Sequence, residues 1–260
     1  VHLVASFYPS RGGKDAVPVI LIHGFEGSRV DYHFLAESLQ AAGFAVLVPD
    51  LRGHGGSKTV AGSDDKLEAK RLNQAQLRAI ITQDMEACKR FLMEKHQAGE
   101  LNIDKLCLVG AELGAIVAIN WAALDWSWPV LATGKQGQDV KALVLLSPQI
   151  QFSGIPLDCA EALKHPAVAR EIAVYTIIGG QRGESRREAQ KVQRLLAQMR
   201  RGQDDTAFYR EVETSLQGTR LFELNNVKTD LATRIANFFT AFAGKKPYPW
   251  QPRRDPFAAN

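Results

Sequence analysis

The chain holds 260 residues, 45% of them apolar and 23% charged, with a formal charge of +4; this suits one large α/β domain with a real core. Its three cysteines, Cys88, Cys107 and Cys159, are an odd number at unrelated spacings, which excludes a disulfide framework or a zinc pattern, and no apolar run reaches the roughly 18 residues of a membrane span. The one basic concentration, Arg182 to Arg201, is interleaved with acids, so it reads as a solvated helix face and excludes a nucleic-acid partner.

The stretch "HLVASFYPS" opens as a strand, and "PVILIHG" (Pro18–Gly24) is a continuous apolar strand closed by a glycine. Tyr32–Gly43 has helical spacing and a glycine stop, "FAVLVPD" is the next strand, and Leu72–His96 reads as a long amphipathic helix. "KLCLVG" is a strand that leads through a tight turn into a helix over Leu113–Leu124. Two further strands, "KALVLLSP" and "EIAVYTIIGG", flank Cys159–Leu163, at most a short helix. Glu184–Arg201 is an amphipathic helix with Ala189, Val192, Leu196 and Met199 on one face. "TRLFEL" reads as the last strand and Thr229–Phe242 as the last helix, with Leu231, Ile235, Phe238, Phe239 and Phe242 as its buried stripe.

Apolar strands alternating with helices predict a mainly parallel sheet covered on both faces, whose strand C-terminal ends share the ligand-binding edge. Residues 1–243 form the expected α/β domain and residues 244–260 an irregular tail rich in proline and basic residues. The widest gaps, Asp50–Arg71 and Trp126–Asp139, are too short for a separate cap domain. Val1 stands where a methionine would, as it does once a leader has been cleaved or cut away; a soluble protein, exported with its leader removed, is the expectation on that count.

Three stretches meet at the ligand-binding edge: "LIHGFEGS" (Leu21–Ser28), "VPDLRGHGGS" (Val48–Ser57) and "LVGAELGA" (Leu108–Ala115). In this order and spacing the chain resembles the α/β-hydrolase superfamily over roughly Pro18 to Ala243. Its layout looks most like that of the compact lidless esterases and dienelactone-hydrolase-like members. The resemblance implies an α/β-hydrolase fold without a large cap domain, and a nucleophile elbow of the form G-x-S-x-G. Here that elbow reads Gly110-Ala111-Glu112-Leu113-Gly114. The glycines stand where the turn needs them, and a carboxylate replaces the serine. By the same resemblance the backbone N–H groups of Phe25 and Leu113 would form the oxyanion hole.

The family places the triad histidine in the loop after the last strand. The expected loop, "NNVKTDL" (Asn225–Leu231), contains none, and Val227 and Lys228 are the nearest substitutes. The acid normally follows the strand ending near Gly180, where "GQRGES" offers Arg182 and Glu184 but no aspartate; Asp158 is a distant second choice. His23, Asp50 and Arg52 read as structural braces. His54 reads as a loop organiser and is the best remaining proton carrier. Trp121, Trp126 and Trp128 read as packing residues rather than a pocket.

Without a serine and a histidine the Ser-His-Asp route is closed. Carboxylate nucleophiles occur on this fold in haloalkane dehalogenases and epoxide hydrolases, which use an aspartate at the elbow. Glu112 would therefore act as nucleophile or general base on an ester, lactone or haloalkane, or it would be a salt-bridged residue touching Lys228 or Arg182 in a site without turnover. The favoured expectation is a pseudo-hydrolase that keeps a cleft for a small molecule or a partner beside Glu112, and a structural or interaction module is the third reading. No feature calls for a metal or an organic cofactor, and "GAELGA" lacks the dinucleotide spacing.

Overall fold

Four apolar runs supply the buried centre of a seven-stranded sheet in the computed structural model, which describes residues 1–62, 66–131, 134–152, 154–200 and 206–253. The strands are β1 (Ala5–Tyr8), β2 (Pro18–Ile22), β3 (Ala45–Pro49), β4 (Leu106–Ala111), β5 (Val140–Leu146), β6 (Ala173–Gly179) and β7 (Ala207–Val212). They lie in the order β1-β3-β2-β4-β5-β6-β7; β1 runs antiparallel to β3 and all other pairs are parallel. Every residue of β2, β3, β4 and β5 is buried, as expected where helices cover both faces.

The two-residue period of a strand divides the core between the faces. Ile20 and Ile22 of β2 pack with Met85 and Leu92 of α3 (Met85–Gln97) and Ile116 of α4 (Leu113–Ser127). Val19 and Leu21 pack on the other face with Leu35 and Leu39 of α1 (His33–Ala41) and with Leu231 and Phe239 of α8 (Lys228–Phe239). Between these come α2 (Gln74–Ala79), α5 (Ala160–Lys164), α6 (Pro166–Arg170) and α7 (Gly183–Arg200). No large cap domain is present among the described residues. None of the described helices is long and apolar enough to cross a membrane.

The expected long helix over Leu72–His96 is α2 and α3 joined by a π-helical turn at Ile80–Asp84. One expectation fails at the C-terminal end. "TRLFEL" is not a strand: Gly218–Glu223 is a 3₁₀ helix that tucks Leu221 and Phe222 into the core. The last strand is instead β7, an edge strand that leaves Phe208 and Tyr209 partly exposed and so lacks a continuous apolar run. Arg201 of the expected helix and residues 254–260 of the expected tail lie outside the described residues, as do 63–65 and 132–133 within the two expected gaps.

The tail up to Arg253 is irregular but held. Asn102 donates to the Tyr248 carbonyl (2.8 Å) and Trp250 donates to the His96 carbonyl (3.2 Å). The Arg253 guanidinium reaches Asp104 (2.9 Å) and Asp139 (3.0 Å).

Candidate functional site

β4 ends at Ala111 and α4 begins at Leu113, which leaves Glu112 alone to turn the chain, at φ 50° and ψ −109°. That is a strained conformation for a residue with a side chain. It is held by a Glu112 N–H bond to the Leu146 carbonyl (2.9 Å) and an Ala115 N–H bond to the Glu112 carbonyl (3.0 Å). A Cβ at Gly110 would collide with the Gly114 carbonyl, and one at Gly114 with the Ile22 carbonyl. Both glycines are therefore steric requirements of bringing α4 close against β2 and β4.

The Glu112 side chain lies in a slot between two further glycines. A Cβ on Gly24 would sit 2.9 Å from Oε2, and one on Gly218 would sit 3.2 Å from Cγ and Cδ. Gly218 also has φ +57°, so a side chain there is disfavoured twice. Burial pushes the Glu112 carboxyl up from its ordinary value, and the charges of Arg182 and then Arg220 pull it partly back. Among the described residues the carboxylate has no ion-pair partner within 4 Å; the two guanidiniums act at longer range.

Gly218 belongs to the loop between β7 and α8, residues 213–227, which contains no histidine. The loop is stitched to the ends of two strands. Ser147, itself at φ 50°, donates from Oγ to Gln217 Oε1 (2.7 Å) and accepts the Gly218 N–H (2.9 Å). Gln217 Nε2 donates to the Gly179 carbonyl (2.8 Å). Strained non-glycine residues gather at this edge: Glu26, Glu112 and Ser147 all have positive φ.

Above the slot lies a cavity of about 630 Å³, lined among others by Glu112, Phe25, Phe34, Arg182, Arg220 and Phe222. Leu113 is the first residue of α4, so its N–H has no intrahelical acceptor. Phe25 lies inside a tight turn closed by the Gly27 N–H on the Gly24 carbonyl (3.1 Å), and its own N–H is not used in that closure.

Residues 14–223 match the Hydrolase_4 family model, described as serine aminopeptidase, S33. The chain belongs to this α/β-hydrolase family. It is similar to lipase 1 of Psychrobacter immobilis, with 27% identity over 150 residues, which are 57% of this chain and 37% of that protein. It is also similar to esterase YjfP of Escherichia coli, with 33% identity over 105 residues, 40% of this chain and 39% of the relative. The chain thus spans less than two fifths of the length of these curated relatives. Among solved structures it resembles a monoacylglycerol lipase of Paleococcus ferrophilus (TM-score 0.60, 15% identity, 93% of this chain and 99% of that one). It also resembles DcsB in complex with a substrate analogue (TM-score 0.65, 16% identity, 92% and 95%). At such identities the structural likeness is one of fold.

Within this hydrolase fold, several sequence-derived candidates change place. Lys228 is not at Glu112: its ammonium lies over the Phe34 ring at 4.8 Å, because the first turn of α8 stands behind that ring. Arg182 does line the cavity, from an exposed position just before α7, without touching Glu112. His54 belongs to a separate, smaller cavity of about 230 Å³ on the far side of the Glu26–Gly27 turn. Its Nδ1–H donates to the Arg52 carbonyl (2.9 Å), and burial lowers its pKa. Its Nε2 is buried without a hydrogen-bond partner among the described residues, and it does not line the cavity beside Glu112.

His23 is a brace: Nδ1–H donates to the Gly24 carbonyl (2.7 Å), Nε2 accepts the Leu51 N–H (3.0 Å), and burial holds its pKa down at about 4. Asp50 accepts the Arg29 and Gly56 N–H groups, and Arg52 pairs with Asp84 at 2.6 Å, so both organise loops. Trp121 donates to Glu86 and Trp126 to the Val140 carbonyl; neither lines the cavity, nor does the exposed Trp128. Asp158 lies away from the cavity, where its carboxylate accepts the Ala160 N–H. The sequence reading missed Gln217, Gly218 and Arg220, because placing the last strand at "TRLFEL" put the decisive loop too late.

Proposed function

We propose that this esterase- and lipase-like chain is a pseudo-hydrolase whose cavity binds a small molecule. One observation carries the reading. The elbow side chain is a carboxylate wedged between Gly24 and Gly218, and the loop facing it carries Gln217 with both ends of its amide already bonded. A serine hydroxyl needs a base within hydrogen-bond reach; here the elbow position carries no hydroxyl and the facing loop, residues 213–227, no histidine. The open cavity favours ligand binding over a purely structural role.

A second reading rests on the free N–H of Leu113 and the raised pKa of Glu112. Together they would let the carboxyl group act as general base on a water attacking an ester or lactone held by the Phe25 and Leu113 amides. The deciding assay is turnover of short esters, lactones and haloalkanes by the wild type beside Glu112→Gln. The expected result is no wild-type rate above that of the variant. A wild-type rate that Glu112→Gln abolishes overturns the proposal, and mass spectrometry of a trapped adduct then separates nucleophile from base.

A further inference from the structure

The cavity lining carries both signs of charge: Glu26, Asp31, Glu112 and Glu223 beside Arg182 and Arg220. Among them, Asp31 and Glu112 act on the buried Tyr32: burial, then Asp31, then Glu112 push its phenol pKa up. Arg182 and Arg220 line the same cavity, one from just before α7 and the other from the loop after β7 that also carries Gly218. Among the described residues neither Glu112 nor Arg182 has an ion pair, whereas Arg220 keeps a local partner in Glu223 (3.3 Å). Phe25, Phe34 and Phe222 add aromatic surface to the same lining, and Phe34 and Phe222 lie 6.5 Å apart.

The half-buried Glu112 carries a desolvation cost that a ligand cation at contact range would offset, and the exposed guanidinium of Arg182, not in contact with it, faces the same cavity. A ligand with a single charge satisfies one of them and faces its own sign at the other. We infer that the cavity takes a small amino carboxylate with an apolar body, its protonated nitrogen on Glu112 and its carboxylate on Arg182. This inference rests on the ligand-binding reading of the site. Arg182 suits a carboxylate because its planar fork can bond both oxygens. Glu112 suits an ammonium because an ionised carboxylate only accepts. The Phe25 and Leu113 amides remain available for a neutral oxygen of the same ligand.

The test is calorimetric titration at pH 7 and low salt with three probes that share one body: phenylalanine, phenethylamine and 3-phenylpropionate. The wild type should bind phenylalanine at least about ten-fold more tightly than either singly charged probe, since a hydrogen bond to a charged group is worth that much. Glu112→Gln should make phenylalanine and 3-phenylpropionate bind alike. Arg182→Ala, at an exposed position that does not threaten the fold, should make phenylalanine and phenethylamine bind alike. Equal binding of all three probes by the wild type, no binding of any, or a phenylalanine preference that survives both substitutions overturns the inference. The underlying reading has its own readout. If the esters remain uncleaved, a failed titration removes only the ligand class; ester turnover lost in Glu112→Gln removes the pseudo-hydrolase reading itself.

Discussion

The two edges of one sheet treat buried charge in opposite ways. At the strand C-terminal edge, Glu112 is half-buried without an ion pair among the described residues, and its pKa is raised. At the opposite edge Asp139, just before β5, is fully buried, yet its pKa is lowered to about 2. Burial pushes both carboxyl groups the same way, so burial does not separate them. Partners do: Asp139 meets Lys89 (3.0 Å), Lys135 (2.9 Å) and Arg253 (3.0 Å), and their charges outweigh its desolvation. Lys89 also holds Asp125 at 2.5 Å, and Asp125 accepts the N–H groups of Asp139 and Val140. One edge is saturated with its own charges and the other is left open, which is the arrangement expected of a scaffold end and a ligand end.

Breaking the saturated edge should give the largest effect. Asp139→Asn leaves Lys89, Lys135 and Arg253 without their shared anion and should cost roughly 3–5 kcal/mol. By thermal unfolding this is a fall in Tm of roughly 6–20 °C for a chain of this size. A carboxyl whose pKa is lowered by folding stabilises above its unfolded value, and that stability is lost as pH falls through the folded one. The wild-type curve should therefore lose stability between about pH 4 and about pH 2, and the variant should lose less over that window. A cost below about 1 kcal/mol would mean that the cluster contributes little and that the contrast between the edges is only geometric.

Arg253→Ala should cost less, about 1.5–3 kcal/mol, because Lys89 and Lys135 remain on Asp139 while the bonds to Asp104 and Asp139 from the tail are lost. Hydrogen exchange over residues 245–253 sharpens the point. Faster exchange there, with the sheet amides unchanged, shows the arginine acting as the tether of the tail. A loss as large as that of Asp139→Asn would instead assign the stability of the whole cluster to the tail.

The same contrast explains what could be read from the sequence. The saturated sheet centre was legible, because strands buried on both faces must be near-continuously apolar: β2, β3 and β4 read as PVILI, AVLVP and LCLVGA. The elbow was legible because Gly110 and Gly114 are forced by backbone contact. The loop opposite Glu112 was not. β7, reading AFYREV, is an exposed edge strand with no apolar run, whereas Leu221 and Phe222 mimic a strand although their helical turn buries them. The loop that matters therefore lies several residues earlier than the sequence suggests, and neither Lys228 nor Arg182, the two partners expected for Glu112, touches it. Charge pairing itself was beyond sequence reading: the cluster at Asp139 draws on residues as distant as Lys89 and Arg253, and only the fold brings them together.

The smallest effect has the opposite sign and bears most directly on the open edge. Glu112→Gln keeps the shape of the side chain and removes a charge that burial disfavours, so it should stabilise the folded chain at neutral pH. The gain is about 0.5–1 kcal/mol, held low because solvent in the cavity screens the carboxylate; this is a rise in Tm of roughly 1–4 °C. The pH dependence runs opposite to that of Asp139. A carboxyl whose pKa is raised by folding stabilises fully below its unfolded value, and that stability is lost as pH rises through the folded one. Wild type and variant should thus converge in acid, where Glu112 is protonated, and separate as pH rises. A variant that is less stable than the wild type at neutral pH would show that the carboxylate is held by more than distant guanidiniums, and the open edge would then be a paired one. A gain that shrinks in the wild type's favour when phenylalanine is added would tie the cost of the unpaired charge to the ligand that relieves it, since a ligand bound only by the folded chain stabilises it in proportion to its affinity.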